Sequence, residues 1–316
     1  MEHQLLVFKE VAETKNITLS AKNLQISQPS VSLQIQNLEN EYGIRFFDRT
    51  NKGVTLTKEG EIFYASIRGI LGILASLKEE MSAIAKNQKR LIRLGVTLTI
   101  GEYVLPNIMA DLYKTHPDVE FRVKSANSES IAHDVSDKIM HIGLIEGAVP
   151  PYENLKIESF WDDELVVVIP NFHPWASRNS ISLSEISNEP LVTREEGSET
   201  RKAIQMALKE RGFALNKLNV TMELGSNQAI KKVVSAGLGI TIMSSLTVSC
   251  EWDRKIFRTL RIQDKLVHCP FSIITNEHST QTEYEHVLIN LLHDHKVLSD
   301  ILSTDYYSLQ KQRKKA

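Results

Sequence analysis

The chain has 316 residues, 42% of them hydrophobic and 24% charged, with a formal net charge of −2. That length and balance describe a globular protein of roughly two domains plus a connecting element, and they exclude a disordered chain or a polycation. Residues 1–90 carry 12 Lys and Arg against 10 Asp and Glu, and the remainder 25 against 29. Any affinity for nucleic acid must therefore come from local placement of charge and from paired copies.

The first elements read as three short helices and a hairpin. Leu5, Phe8 and Val11 or Ala12 give the first helix an apolar stripe, and Ala21 with Leu24 gives the second one. The turn Leu24-Gln25-Ile26-Ser27-Gln28-Pro29 places Ser27 as a cap and Pro29 in a first turn, so a third helix starts at Gln28. Val31, Ile35 and Leu38 face inward at helical spacing, which leaves Gln28, Pro29, Ser30, Ser32, Leu33 and Gln34 on an outward face without charge. Such donors and acceptors suit base edges in a major groove. A polar helix in a small bundle is the alternative. Ile44 to Arg49 and Val54 to Thr57 read as strands of a wing joined through Thr50-Asn51-Lys52-Gly53, with Arg49 and Lys52 placed for the sugar-phosphate backbone or as ordinary surface charge.

Thr57 caps the next helix. Phe63, Ile67, Ile70, Leu74, Leu77, Met81 and Ile84 recur alternately four and three residues apart, a heptad seam that predicts pairing with the same helix of a second chain. Packing within its own chain is the alternative, although no intrachain partner is evident.

From Arg90 strand-like and helix-like segments alternate, the rhythm of a parallel α/β sheet. Arg93–Thr97, Val119–Lys124 and His141–Ile145 read as strands, with helices around Glu102–Thr115 and Ser128–Lys138. Leu165–Ile169, Leu191–Thr193, Glu199–Arg211, Val220–Leu224 and Asn227–Ala236 read as a second lobe, and Phe271–Thr275 with Thr280–Leu292 as a further strand and helix. Val233 to Cys250 is uncharged, yet its serines, threonines and glycines fit a helix end, a turn and a buried strand better than a membrane span. Lys311-Gln312-Arg313-Lys314-Lys315 reads as a frayed basic end.

The run Phe8…Ala12…Ala21…Leu24…Ser27-Gln28-Pro29-Ser30-Val31-Ser32…Ile35…Leu38-Glu39…Gly43…Phe46-Phe47-Asp48-Arg49…Leu56-Thr57…Gly60 resembles the amino-terminal signature of LysR-type transcriptional regulators, nearest to the sulfur-assimilation and carbon-fixation subgroup. The likeness continues in element order to about residue 295. It implies a winged helix-turn-helix DNA-binding domain at 1–57, a linker and dimerisation helix at 58–89, and a two-lobed α/β effector domain at 90–296 built like periplasmic binding proteins. Lobe I takes 90–161 and 265–296, lobe II takes 162–264, and 297–316 is a carboxyl-terminal extension. The family often has Arg where Leu33 stands, so its arginine-to-base contact does not carry over.

Ligands in open α/β lobes gather where strands run into helix amino termini. Each such junction here is by itself an ordinary helix cap. Their convergence is what the resemblance adds, placing Thr97, Thr99, Glu146, Thr193, Ser198, Arg201, Asn227 and Ser244 around a small anionic effector. The subgroup tends to carry glycine where Glu199 stands. Pointing inward, Glu199 would repel a bare dianion and favour a zwitterion or an ammonium group; pointing to solvent, it serves only the helix amino terminus, which is the expectation.

No cysteine lies between Thr193 and Arg201, which disfavours thiol sensing. Cys250 and Cys269 have neither metal-ligand spacing nor a disulfide framework, and Met1-Glu2-His3-Gln4 leads into a helix without an export signal, so a cytoplasmic setting is expected. Implied partners are double-stranded DNA, a second copy in a homodimer that pairs into a tetramer, the metabolite and, as a candidate, RNA polymerase, with no membrane, metal or cofactor. An effector-independent regulator stays open as an alternative. An enzyme fused to a DNA-binding domain is the weaker alternative, because the histidines show no ligand spacing and no nucleophile–base pair stands out.

Overall fold

The computed structural model describes residues 2–50, 53–86, 90–210, 212–213, 217–248, 256–263 and 267–303. The chain divides into two compact units, one of residues 1–88 with 137–139, the other holding the rest.

In the first unit α1 (Glu2–Thr14), α2 (Ile17–Asn23) and α3 (Gln28–Tyr42) precede the hairpin β1 (Phe47–Thr50) and β2 (Gly53–Leu56), and α4 (Lys58–Lys86) follows. Asn16 caps α2 on Leu19 N at 3.0 Å and Ser27 caps α3 on Ser30 N at 3.3 Å, each satisfying an amide the helix start leaves orphaned. Gly43, at φ +66, ends α3 in the left-handed conformation that glycine tolerates. Phe8, Val11, Val31, Leu38 and Phe46 fill the core, where Phe46 stacks on Phe63 at 4.4 Å.

The first wing strand is shorter than expected. The Glu39 carboxylate accepts from Phe46 N at 2.7 Å and Phe47 N at 3.2 Å, so Ile44 to Phe46 are tied to the end of α3 and pairing starts at Phe47. Thr57 caps α4 as expected, accepting from Gly60 N at 3.0 Å. The lower half of α4 does have an intrachain partner. Ile67, 1% exposed, and Leu71 lie in the same core as α1, with Phe63 packed against it.

The second unit is built on a mixed sheet, in part antiparallel, where a parallel one was expected. Its order is β4 (Val119–Ser125), β3 (Arg90–Val96), β5 (Ile142–Glu146), β12 (Val267–Asn276), β6 (Leu155–Pro170), β11 (Phe257–Ile262), β7 (Ser180–Ile181), with β10 (Thr241–Ser244) also paired to β6. β3 runs parallel to β4 and β5, while β12, β10 and β11 pair antiparallel with β6. β8 (Leu191–Arg194) and β9 (Val220–Leu224) form a separate parallel pair.

β6 is the long strand that serves both lobes, and its first half was not foreseen. Exposed Lys156, Ile157, Ser159 and Asp162 hide its strand character, although Leu155 to Leu165 pair with β12 throughout, with one bulge. A π-helical turn, Ile100–Val104, precedes α5 (Leu105–Thr115); the Leu105 amide reaches back five residues to Ile100 O beside Pro106, which has no amide to offer. α6 (Ser128–Ser136), α10 (Glu283–His293) and α11 (His295–Ser303) complete lobe I, and α7 (Leu183–Ile186), α8 (Glu199–Glu210) and α9 (Asn227–Ser235) lobe II.

The expected extension from 297 begins instead inside lobe I. Leu298 and Ile301 of α11 are buried in its core with Leu112 and Leu292. The uncharged segment from Val233 is the end of α9, a turn with Gly237 at φ +77 and Gly239 at φ +153, and buried β10. Among the described residues no helix is long and apolar enough to cross a membrane.

Candidate functional site

The outward face of α3 carries Gln28, Pro29 and Leu33 exposed and Ser30, Ser32 and Gln34 half-buried, as the spacing of Val31, Ile35 and Leu38 required. Leu33 is 56% exposed, an apolar side chain on an otherwise polar face. The face is braced from α1, where His3 Nδ1 lies 2.9 Å from Gln34 Oε1. Arg49 has its backbone in β1 opposite Val54, while its side chain and all of Lys52 lie outside the described residues. Along α4 the expected seam divides in two. Phe63 and Ile67 are used inside their own unit, whereas Ile70, Leu77 and Met81 are about half exposed and Leu74 is partly covered. The side chain of Ile84 lies outside the described residues.

In the second unit the lobes enclose a cavity of about 260 Å3. Lobe I contributes Thr97 and Leu98 after β3, Ser125 to Asn127 at and after the end of β4 and Glu146 at the end of β5; lobe II contributes Arg194 and Glu195 at and after the end of β8, Gly197 to Glu199 at the start of α8, and Gly225. Glu146 Oε1 accepts from Thr99 N at 3.0 Å and Oε2 from the Thr200 hydroxyl at 3.1 Å, so one carboxylate ties lobe I to lobe II. Burial raises its pKa above the ordinary carboxylate range, against hydrogen bonds from Thr99 and Thr200 that lower it. Thr97 Oγ1 lies close enough to this carboxyl to favour its ionised form, yet it is buried on the cavity wall without completing a hydrogen bond of ordinary geometry.

Glu199 corrects the expectation that it faces solvent. It is 7% exposed on the cavity wall, and its Oε1 accepts from Ser128 N of lobe I at 3.3 Å and from Lys202 Nζ at 3.0 Å. The amino terminus of α6 is thereby filled by a carboxylate from the opposite lobe.

Of the expected effector residues, Thr97, Glu146 and Ser198 line the cavity. Thr99 stands behind the wall, holding Glu146 through its amide, and Thr193 is buried within β8. Asn227 supports the wall, accepting from Arg194 Nη1 at 3.2 Å. Ser244 is engaged elsewhere, donating at 2.9 Å to Asp163, whose pKa burial pushes well above its ordinary value. Arg201 is not the charge of this site. Its guanidinium pairs with Glu223 at 2.8 Å and donates to Arg194 O at 2.9 Å.

The cation on the wall is Arg194, whose Nε and Nη2 meet Glu195 at 2.7 and 2.8 Å. Sequence reasoning missed Arg194, Glu195 and the Ser125–Asn127 junction. The rule that found the other junctions would have found these, since each directly follows or ends a strand. Among the described residues no group of His, Cys, Asp and Glu could hold a metal ion. Burial raises the pKa of the Cys269 thiol and leaves it unreactive; Cys250 lies outside the described residues.

A winged helix-turn-helix and a two-lobed α/β domain with an interlobe cavity define a DNA-binding regulator with a small-molecule receptor domain. The bacterial regulatory helix-turn-helix model of the lysR family matches residues 3–61, and the LysR substrate binding domain model matches 85–296. The chain belongs to the LysR family of transcriptional regulators. It is 34% identical over 288 residues to the HTH-type transcriptional regulator CysL of Bacillus subtilis, covering 91% of this chain and 95% of that one. It is 33% identical over 261 residues to the RuBisCO operon transcriptional regulator of Allochromatium vinosum, covering 82% and 84%. Among solved structures, the Synechocystis CcmR regulatory domain in complex with 2-PG superposes with a TM-score of 0.57 at 26% identity, covering 64% of this chain and 95% of that one. The LysR family regulator CbnR shares the fold, with a TM-score of 0.67 at 18% identity over 92% of this chain and 98% of that one.

Proposed function

We propose that this regulator binds duplex DNA as a homodimer, pairing into a dimer of dimers, and that its second unit senses a small metabolite bearing a carboxylate or phosphate. The observation that carries the sensing is the cavity itself, walled from both lobes, with Ser198 at the start of α8 and Thr97 after β3 among its lining residues. The related CcmR domain was solved with 2-PG, a ligand consistent with that reading. Gln28, Ser30, Ser32, Leu33 and Gln34 read base edges, Arg49 and Lys52 hold the backbone, and the upper α4 residues Ile70, Leu74, Leu77 and Met81 meet their counterparts in the partner. The chain works in the cytoplasm with RNA polymerase as a further partner and catalyses no reaction, in keeping with relatives that are transcriptional regulators.

Ligand binding acts through linkage. A ligand that prefers one arrangement of the lobes shifts their equilibrium by no more than its differential affinity for the two arrangements. The test is thermal shift of the full chain with a panel of small carboxylates and phosphates, 2-PG included, followed by operator binding with each hit. A hit whose effect disappears in Ser198→Ala supports the cleft, and a hit that binds this variant as tightly as the parent places the ligand elsewhere. A second reading, an effector-independent regulator, draws on the interlobe bonds of Glu146 and Glu199, which join the lobes through the protein's own groups. A broad panel without any hit would favour it.

A further inference from the structure

Resting on the reading of the cleft as a metabolite site, we propose that its ligand is a small zwitterion, with an ammonium group beside its acid group, and that Glu199 selects for the ammonium. Two helix-start donors of lobe I that an anion would use are already occupied by the protein's own carboxylates, Thr99 N by Glu146 and Ser128 N by Glu199. Three carboxylates line the cavity: Glu195 is paired with Arg194, Glu199 with Lys202 at 3.0 Å, and burial raises the pKa of Glu146. The Arg194 guanidinium is spent on Glu195 and Asn227. A bare dianion would find no cation among these groups that is not already paired with a carboxylate of the protein, which selects against it.

The cavity still offers one place for each charge. An acid group fits at the start of α8, beside Ser198 and Gly197, where the helix presents amides. An ammonium fits at Glu199. Both protein donors to that carboxylate reach Oε1, and Oε2 lies beside Gly147, where even a Cβ would stand 3.8 Å away. A volume of about 260 Å3 lies below the range of drug-sized sites and suits a ligand of roughly amino-acid size. Glycine at position 199 would remove the ammonium partner and free Ser128 N for an anion, so Glu199 is the residue that turns an anion site into a zwitterion site.

The test uses the full chain and matched probes. The common L-amino acids and O-phospho-L-serine are each compared by thermal shift and calorimetry with the hydroxy acid of the same skeleton, and sulfate, phosphate and 2-PG serve as bare anions. At least one amino compound is expected to bind about tenfold or more tightly than its hydroxy twin, as for a hydrogen bond to a charged group. Glu199→Gln, which retains an acceptor for Ser128 N, should bring the two within about threefold of each other. Hydroxy acids or bare anions binding the parent chain as tightly as every amino compound would overturn the ammonium site and leave the cleft reading standing. No binding by any probe would remove both. Should the variant melt without a cooperative transition, the twin comparison on the parent chain decides alone.

Discussion

Thr200 of α8 donates its hydroxyl to Glu146 of β5 across 3.1 Å, and this bond joins the two lobes through a carboxylate that burial holds in its protonated form to higher pH than usual. A carboxyl whose folded pKa is raised stabilises the fold fully below the unfolded value and loses that contribution as pH climbs through the folded one. Glu146→Gln keeps an acceptor for Thr99 N and a polar partner for Thr200 without ionising. Its melting temperature should exceed that of the parent at about pH 8, and the advantage should shrink towards zero near about pH 4. Calorimetric melts across that range check it, and an advantage that grew as pH fell would reverse the assignment.

Gly53 opens β2 at φ +137, and a Cβ there would collide with the carbonyl oxygen of Lys15, which accepts from Val54 N at 3.0 Å. The hairpin is thus fastened to the loop after α1. Gly53→Ala should cost about 1–3 kcal/mol through backbone strain and displacement of that bond, read as a lower denaturation midpoint of the first unit. DNA affinity should fall on specific and scrambled duplexes alike, since the wing supplies backbone contacts rather than base reading.

The DNA-reading unit was legible because its signals are local. A serine cap, a first-turn proline and the 31, 35, 38 stripe fix α3 without reference to anything distant. The lobes were legible as a rhythm of elements but not as a sheet, because ten of the 16 residues of β6 pair with β12, more than a hundred residues away in sequence. The chain does not announce that pairing in its own periodicity. Likewise most of α11 falls in the expected carboxyl-terminal extension, although Leu298 and Ile301 belong to the core of lobe I. At the cleft the strand-end rule together with the family resemblance named Thr97, Glu146 and Ser198, but sequence cannot say which way a long side chain turns. Arg201 was expected inside and pairs with Glu223, while Glu199 was expected outside and lines the wall.

The two halves of the α4 seam should respond oppositely to charge. Ile67 is 1% exposed in the core shared with α1, so Ile67→Asp buries an unpaired carboxylate and should destabilise the first unit by about 3 kcal/mol or more. Leu77 and Met81 are 49% and 52% exposed, so the pair Leu77→Asp with Met81→Asp should leave each protomer's fold within about 0.5 kcal/mol while placing charges in the expected contact with a partner helix. Sedimentation should find the double variant monomeric. A folded double variant that stays dimeric would move the interface off α4.

The reading helix and the wing should separate specificity from affinity. Ser32 and Gln34 lie on the outward face of α3, with Gln34 held by His3 at 2.9 Å, so their polar groups are positioned before DNA arrives. Ser32→Ala or Gln34→Ala should lose about 1–3 kcal/mol of discrimination at one half-site position and leave binding to scrambled DNA nearly unchanged. Arg49→Ala should weaken binding to both duplexes and reduce the slope of log affinity against log salt by about 1 for each phosphate contact removed. His3→Ala gives an internal control, since releasing Gln34 without deleting it should produce a smaller loss at the same base position. Equal losses on operator and scrambled DNA for the Ser32 and Gln34 variants would show that this face of α3 does not read bases.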